Sequence, residues 1–310
     1  MLVHTADRTV VPAPVTALAE EKNAIVAFLT GASLELSSRD PAEIDACAGL
    51  LEPGSSVYIS LPPGQTYHGT VALASRLARA GLRPVPHVAA RRIADREALD
   101  DYLARAAGEA AVDSALVIAG DSDHASGPFD SSLALLETGL FQRHGILRVA
   151  VAGYPEGHQR IPPSALEDAL AAKKALAHRA GLELSVVTQF CFEADSILSW
   201  AAKMRGHGLP VRVGLAGPAS LPRLLRFAAL CGVGNSVRAL KARPRALTRL
   251  MVEAGPETVL RDLARRPESP IAGAHFFCFG GLVRTARWLR AIRDGRFELA
   301  EDGGFRVGSA

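Results

Sequence analysis

The sequence predicts a closed (β/α)8 barrel, a single domain preceded by a short N-terminal arm. Three observations carry this. Apolar runs of about five residues alternate with amphipathic helical stretches, as parallel strands covered by helices require. The alternation occurs eight times over 310 residues, the count of a closed barrel and a suitable length for one. Finally, an open sheet binding a dinucleotide would carry G-x-G-x-x-G after its first strand, and neither that pattern nor a P-loop is present.

The elements follow in order. Residues 1–24, with Pro12 and Pro14, read as an arm or short helix outside the barrel, which occupies 25–310. "GASLEL", ending at Leu36, is the first strand. Its helix starts at Asp40 and Pro41 and stops at Gly54. The later pairs are "SSVYISLPPG" with "TYHGTVALASRLARAG", "RPVPHVAARR" with "DREALDDYLARAAGEA", "DSALVIAGDSD" with "SSLALLETGLFQRHG", and "LRVAVAGYPEGH" with "SALEDALAAKKALAHRAG". "LSVVTQFCFE" with "ADSILSWAAKMRGHG" and "PVRVGLAGPAS" with "LPRLLRFAALCGV" come next. A longer helical region holding Gly255 and Pro256 then leads to "AHFFCFGG" and "LVRTARWLRAIRDG". "GVGNSV" near Gly232 follows a helix and reads as a turn.

Composition excludes several classes. A hydrophobic fraction of 48% against 22% charged supplies a large core and argues against disorder. The net charge is only +3 and the arginines are dispersed, so nucleic acid is not an expected partner. The N-terminus lacks the basic and apolar regions of a secretion signal, and no apolar run approaches a membrane span. A soluble, cytoplasmic protein without a membrane partner is expected. Cys47, Cys191, Cys231 and Cys278 form no C-x-x-C pair and read as free buried thiols. The nine histidines are scattered, with no H-E-x-x-H or H-x-H, so no metal is expected. Nor is there a Ser-His-Asp pattern. The arm and the apolar "AHFFCFGG" leave room for a homo-oligomer.

In such a barrel the active site forms where the strands end. Polar residues at those ends are Glu35, Ser60, His87, Asp121, Tyr154, Glu156, Thr188 and Gln189. Each has a structural alternative. Glu35 could cap a helix or pair with Arg39, Asp121 could be an N-cap, His87 a core histidine, and Gln189 a partner for strand-end amides. As a set they suit a flat heterocycle. Gln and Asp can read its donors and acceptors, while a carboxylic acid in an apolar mouth can keep its proton and act as a general acid.

The residues resemble the 5,10-methylenetetrahydrofolate reductase family from about Ala32 to Leu289. "VVTQFCFEADSILSW" looks like that family's sixth strand and helix, joined by "SLEL", "PHVAAR", "VIAGD" and "AGYPEGH" in the same order. The resemblance implies a barrel holding FAD at its mouth, with NADH or NADPH and the folate using the flavin face in turn. Glu35 would then be the general acid that opens the methylene bridge, and Asp121 would hold the pterin edge and favour a cationic intermediate. Gln189 would hydrogen-bond the pterin, and Phe227 would pack on the bound ring. Flavin contacts would be Ser60, His87, Gly120, Tyr154, His158 and Lys174, with Lys173 an alternative to Lys174.

The chain also departs from the family pattern. Ala119 replaces an arginine, Phe129 a tyrosine, and Glu167 and Leu170 occupy positions where the family has Asp and Asn. Losing the arginine and the asparagine weakens phosphate and ribose contacts. The alternatives are therefore a flavin-free reductase with direct hydride transfer from NADH, a folate-binding barrel without redox activity, and a pterin-dependent methyltransferase lacking its accessory module.

Overall fold

The computed structural model describes residues 15–36, 41–62, 64–231, 233, 255–266 and 271–308. The expected Arg39 pairing, the helix start at Asp40, the turn at Gly232 and most of the helical region before Gly255 lie outside them. Eight parallel strands close into one barrel in sequence order. These are β1 (Ser33–Leu36), β2 (Ser56–Ile59), β3 (Arg83–Ala89), β4 (Ser114–Ile118), β5 (Arg148–Gly153), β6 (Glu183–Phe190), β7 (Val211–Ala216) and β8 (Ile271–Phe277). The chain is a (β/α)8 barrel, with β1 paired to both β2 and β8.

The helices are α1 (Val15–Phe28), α2 (Pro41–Cys47), α3 (Tyr67–Arg79), α4 (Arg96–Ala110), α5 (Ser132–Glu137), α6 (Leu140–Arg143), α7 (Pro163–Ala180), α8 (Ala194–Met204), α9 (Leu221–Leu230), α10 (Glu257–Ala264) and α11 (Leu282–Arg293). Several boundaries follow from local chemistry. Thr66 and Asp95 cap α3 and α4 by accepting from the Gly69 and Ala98 amides. The helix expected after β4 is two pieces, because Gly139 takes a left-handed conformation (φ 72°) between α5 and α6. The helix expected to reach Gly54 stops at Cys47, and turns carry the chain from there to β2.

Period-two alternation sorts the strand residues. Leu34, Leu36, Val57, Ile59, Val88, Val117, Val151, Val186, Val213 and Phe276 lie in the large core cluster between strands and helices. Tyr58, Val85, Leu116, Ala150 and Val187 form a separate cluster inside the barrel. Since Leu34 and Leu36 face outward, Ser33 and Glu35 must face inward.

Helix α1 spans Val15–Phe28, so it runs from the expected arm into the barrel portion, where Ile25 and Leu29 belong to the main core. Arg261 of α10 pairs its Nε with Glu21 Oε1 at 2.7 Å and its Nη2 with Glu21 Oε2 at 3.1 Å. Its Nη1 donates to the Ala300 and Gly304 carbonyls, both at 2.7 Å. Those carbonyls belong to an antiparallel hairpin of β9 (Phe297–Leu299) and β10 (Phe305–Val307), which the sequence reading missed. One buried guanidinium thus ties three peripheral elements together. Cys47, Cys191 and Cys278 are free and buried as expected, but Cys231 is exposed.

Candidate active site

Barrel closure brings three ionisable side chains together in the interior. Glu35 Oε2 lies 3.5 Å from His87 Nε2 and 3.6 Å from His275 Nε2. Glu35 and His87 are each 8% exposed and His275 is 0% exposed. His275 Nδ1 is 2.9 Å from Ser33 Oγ, its register partner across the β1–β8 seam. Tyr58 lies edge-on to both imidazoles, with ring centroids 4.6 Å from His275 and 6.2 Å from His87.

The surroundings of Glu35 correct the expectation of an acid held neutral by an apolar mouth. Burial pushes its carboxyl up, but the adjacent His275 and His87 imidazoles outweigh that, leaving it below the usual carboxylate range. Burial lowers the His87 imidazole despite the pull of Glu35. Both imidazoles thus favour the carboxylate form of Glu35. His275 was missed in the sequence. The available signal was its parity: it lies two residues before Phe277 on the last strand, which must close against the first.

A phenylalanine wall borders this cluster. Phe277 is the register partner of Glu35 and meets the His275 ring edge-on at 5.0 Å. Phe279 contacts Phe190 at 4.9 Å and stacks on Phe227 at 4.2 Å with 14° between the rings. Phe277 and Phe192 also meet Phe190, at 5.4 and 5.7 Å. Phe227 projects from α9, whose Leu224 and Ala228 are buried in the same cluster.

Gln189 lies in a break of the ladder. The β6–β7 register shifts between Val187 and Phe190, so Thr188 and Gln189 form an irregular step. Thr188 Oγ1 takes over a ladder position by accepting from the Gly214 amide at 2.8 Å. A Cβ on Gly214 would stand 2.3 Å from the Thr188 carbonyl, so the step requires glycine there. Gln189 is half-buried, and its Oε1 accepts from the Phe190 amide at 3.1 Å. Its NH2 group has no partner among the described residues.

The other strand ends are arranged as follows. Asp121 is exposed in the loop after β4, with no hydrogen bond or ion pair among the described residues. Gly120 precedes it at φ 96°, close enough to β3 that a Cβ would come within 3.2 Å of Ala89 Cβ. Tyr154 meets His158 edge-on at 5.0 Å. Glu156 Oε1 accepts from the Cys191 thiol at 3.1 Å. Ser60 Oγ donates to the Leu36 carbonyl at 3.0 Å. Phe129 is buried. On α7, Leu170 is buried and Lys173 half-buried on the same face, while Glu167 and Lys174 are exposed. Burial alone lowers the Lys173 amine. No group of three or more His, Cys, Asp or Glu among the described residues could hold a metal ion. None of the described helices is long and apolar enough to cross a membrane.

No protein-family model matches the chain. Among solved structures it is similar to dihydropteroate synthase from Thermus thermophilus, with a TM-score of 0.41 and 15% identity over 85% of this chain and 91% of that one. It is also similar to a putative lyase/mutase from Burkholderia cenocepacia, with a TM-score of 0.46 and 16% identity over 90% of this chain and 89% of that one.

Proposed function

We propose that this barrel reduces 5,10-methylenetetrahydrofolate to 5-methyltetrahydrofolate with a hydride from NADH or NADPH. The observation that carries the reading is Glu35, clamped between two imidazoles and in register with the first ring of a phenylalanine wall. The wall offers faces on which a pterin can lie. Gln189 presents amide donors beside Phe190, and Asp121 supplies a carboxylate for the amino edge.

The chemistry follows from that arrangement. A proton from the Glu35 cluster passes to N10 of the folate, the bond from N10 to the methylene carbon breaks, and N5 keeps that carbon as an iminium cation. Hydride from C4 of the nicotinamide then adds to the carbon, giving the methyl group and oxidised nicotinamide. Glu35 and Asp121 favour the cationic intermediate, and the buried wall excludes water from it.

FAD would supply a stepping stone for that hydride, but the residues expected to hold it fit poorly. Ser60 Oγ is spent on Leu36, and His87 Nε2 is aimed at Glu35. His158 Nδ1 accepts from the Arg160 amide. A flavin's pyrophosphate needs cations, yet Arg91 donates to the Ser122 and Asp130 carbonyls and Arg92 to those of Leu61, Pro62 and Gln65. Arg160 is paired with Asp123, Lys174 is exposed, and Ala119 offers no side-chain donor, which leaves Lys173 among the cations expected at the flavin. The reading we adopt is therefore direct transfer from nicotinamide to folate.

The visible spectrum of freshly purified protein tests it, followed by anaerobic NADH and then methylenetetrahydrofolate. A colourless protein that consumes NADH only with the folate is the expected result. A band near ~450 nm that bleaches with NADH and returns with the folate would restore the flavin relay. A protein that binds folate without consuming NADH would be a binding module. Asp121→Asn is expected to weaken folate binding about 10- to 100-fold, the range of a charge-assisted hydrogen bond, as read by titration calorimetry. Unchanged affinity would remove Asp121 from the site.

A further inference from the structure

Three buried atoms lack hydrogen-bond partners at one point in the barrel: Glu35 Oε2, His87 Nε2 and His275 Nε2. Each orphaned polar group costs about 1–3 kcal/mol, so three at one place form a costly interior unless the cluster has a use. The histidines are not equivalent. His275 comes from β8, hydrogen-bonded to β1, and its other nitrogen is held by Ser33. His87 comes from β3, two strands away on the other side, with Tyr58 between the rings. Glu35 is thus gripped from both directions.

We propose that His87 is a positioning residue for proton delivery. It holds Glu35 against His275 so that one carboxylate and two imidazoles share a single transferable proton. This rests on the reduction proposed above, and it reassigns His87 from the cofactor contact that family resemblance implies. In the step, the N–H or O–H bond of the cluster breaks as the bond from N10 to hydrogen forms. Solvent water then returns a proton.

The neighbouring groups leave this trio in control. Tyr58 faces both imidazoles, and burial raises its phenol. Burial pushes the Cys278 thiol up to about 12, and the Glu35 charge acts in the same direction. Both stay neutral at pH 7. Arg212, whose charge Tyr58 feels, donates to the Gly31 carbonyl and supplies a fixed positive charge.

The test uses His87→Gln and His87→Asn, which keep a polar side chain but cannot titrate, after thermal melts establish that they fold. The interaction with His87 helps to hold the Glu35 carboxyl below its ordinary value. Removing His87 should therefore raise the proton affinity of Glu35 about tenfold, one pH unit. The proton-dependent limb of the kcat profile should move up by that amount. Values of kcat should fall about 10- to 100-fold, and KM for both substrates should stay within about threefold. NMR of glutamate labelled at the carboxyl carbon reads the same change without turnover, because the Glu35 midpoint should rise in both variants. An unmoved limb and an unmoved Glu35 midpoint, with kcat falling only as stability falls, would overturn the proposal. If the wild type shows no reductase activity, the functional reading fails separately. The Glu35 midpoint then decides the coupling alone.

Discussion

Glu35→Gln is expected to lower folate-dependent NADH oxidation by about 10²–10⁴-fold, the usual contribution of a positioned acid or base. Glutamine keeps the volume of the side chain, so the barrel should fold. It cannot carry the shared negative charge, however, and the proton has no route from imidazole to N10. The loss should fall on kcat, since the role proposed for Glu35 is proton transfer and not holding the pterin edge. Steady-state kinetics with varied methylenetetrahydrofolate, beside a thermal melt, measure both. A rate within about threefold of wild type, well below what general acid catalysis contributes, would dismiss Glu35 as the proton donor.

Arg261→Ala is expected to cost about 3–5 kcal/mol of stability, the range for breaking a buried ion pair from one side. It leaves Glu21 without its main partner and strips the Ala300 and Gly304 carbonyls of their donor. Arg265, the other partner of Glu21, lies nearer the surface and cannot replace the bonds to the hairpin. The double variant Glu21→Leu with Arg261→Met should recover only part of the loss, since each stranded carbonyl still costs about 1–3 kcal/mol.

The pair also has a pH signature. The Arg261 bond, with help from Arg265, holds the Glu21 carboxyl below its ordinary range against the opposing effect of burial. Its stabilisation is therefore present above the unfolded value of about 4.3 and is lost as pH falls through the lower, folded value. Wild-type melting temperature should drop more steeply than that of Arg261→Ala across this acidic window. Parallel pH curves would show that the pair adds no pH-dependent stability.

The strand ends and helices were legible because a barrel strand is apolar on its outward face and its helix is amphipathic, and both periods survive in a single sequence. Glu35 was visible as a polar residue closing an apolar run, and the core positions of Leu34 and Leu36 then turn it inward. Gln189 was also visible, as a polar residue ending an apolar strand, but its setting was not. A register shift leaves no mark in composition, and only the Gly214 backbone beside Thr188 reveals it. The small hairpin was missed because Phe297–Leu299 and Phe305–Val307 are three residues each, too short to carry a period.

The sequence by itself determined the eight-fold alternation and the identities of the polar strand ends, because these depend on neighbours along the chain. Tertiary structure alone decided which of those groups touch. Closure sets β8 beside β1 and brings His275 to Glu35, and His87 reaches the same oxygen from β3. Two imidazoles far apart in sequence then fix the ionisation of one carboxylate. Electrostatic interaction depends on distance through space, and that is set only when the sheet closes.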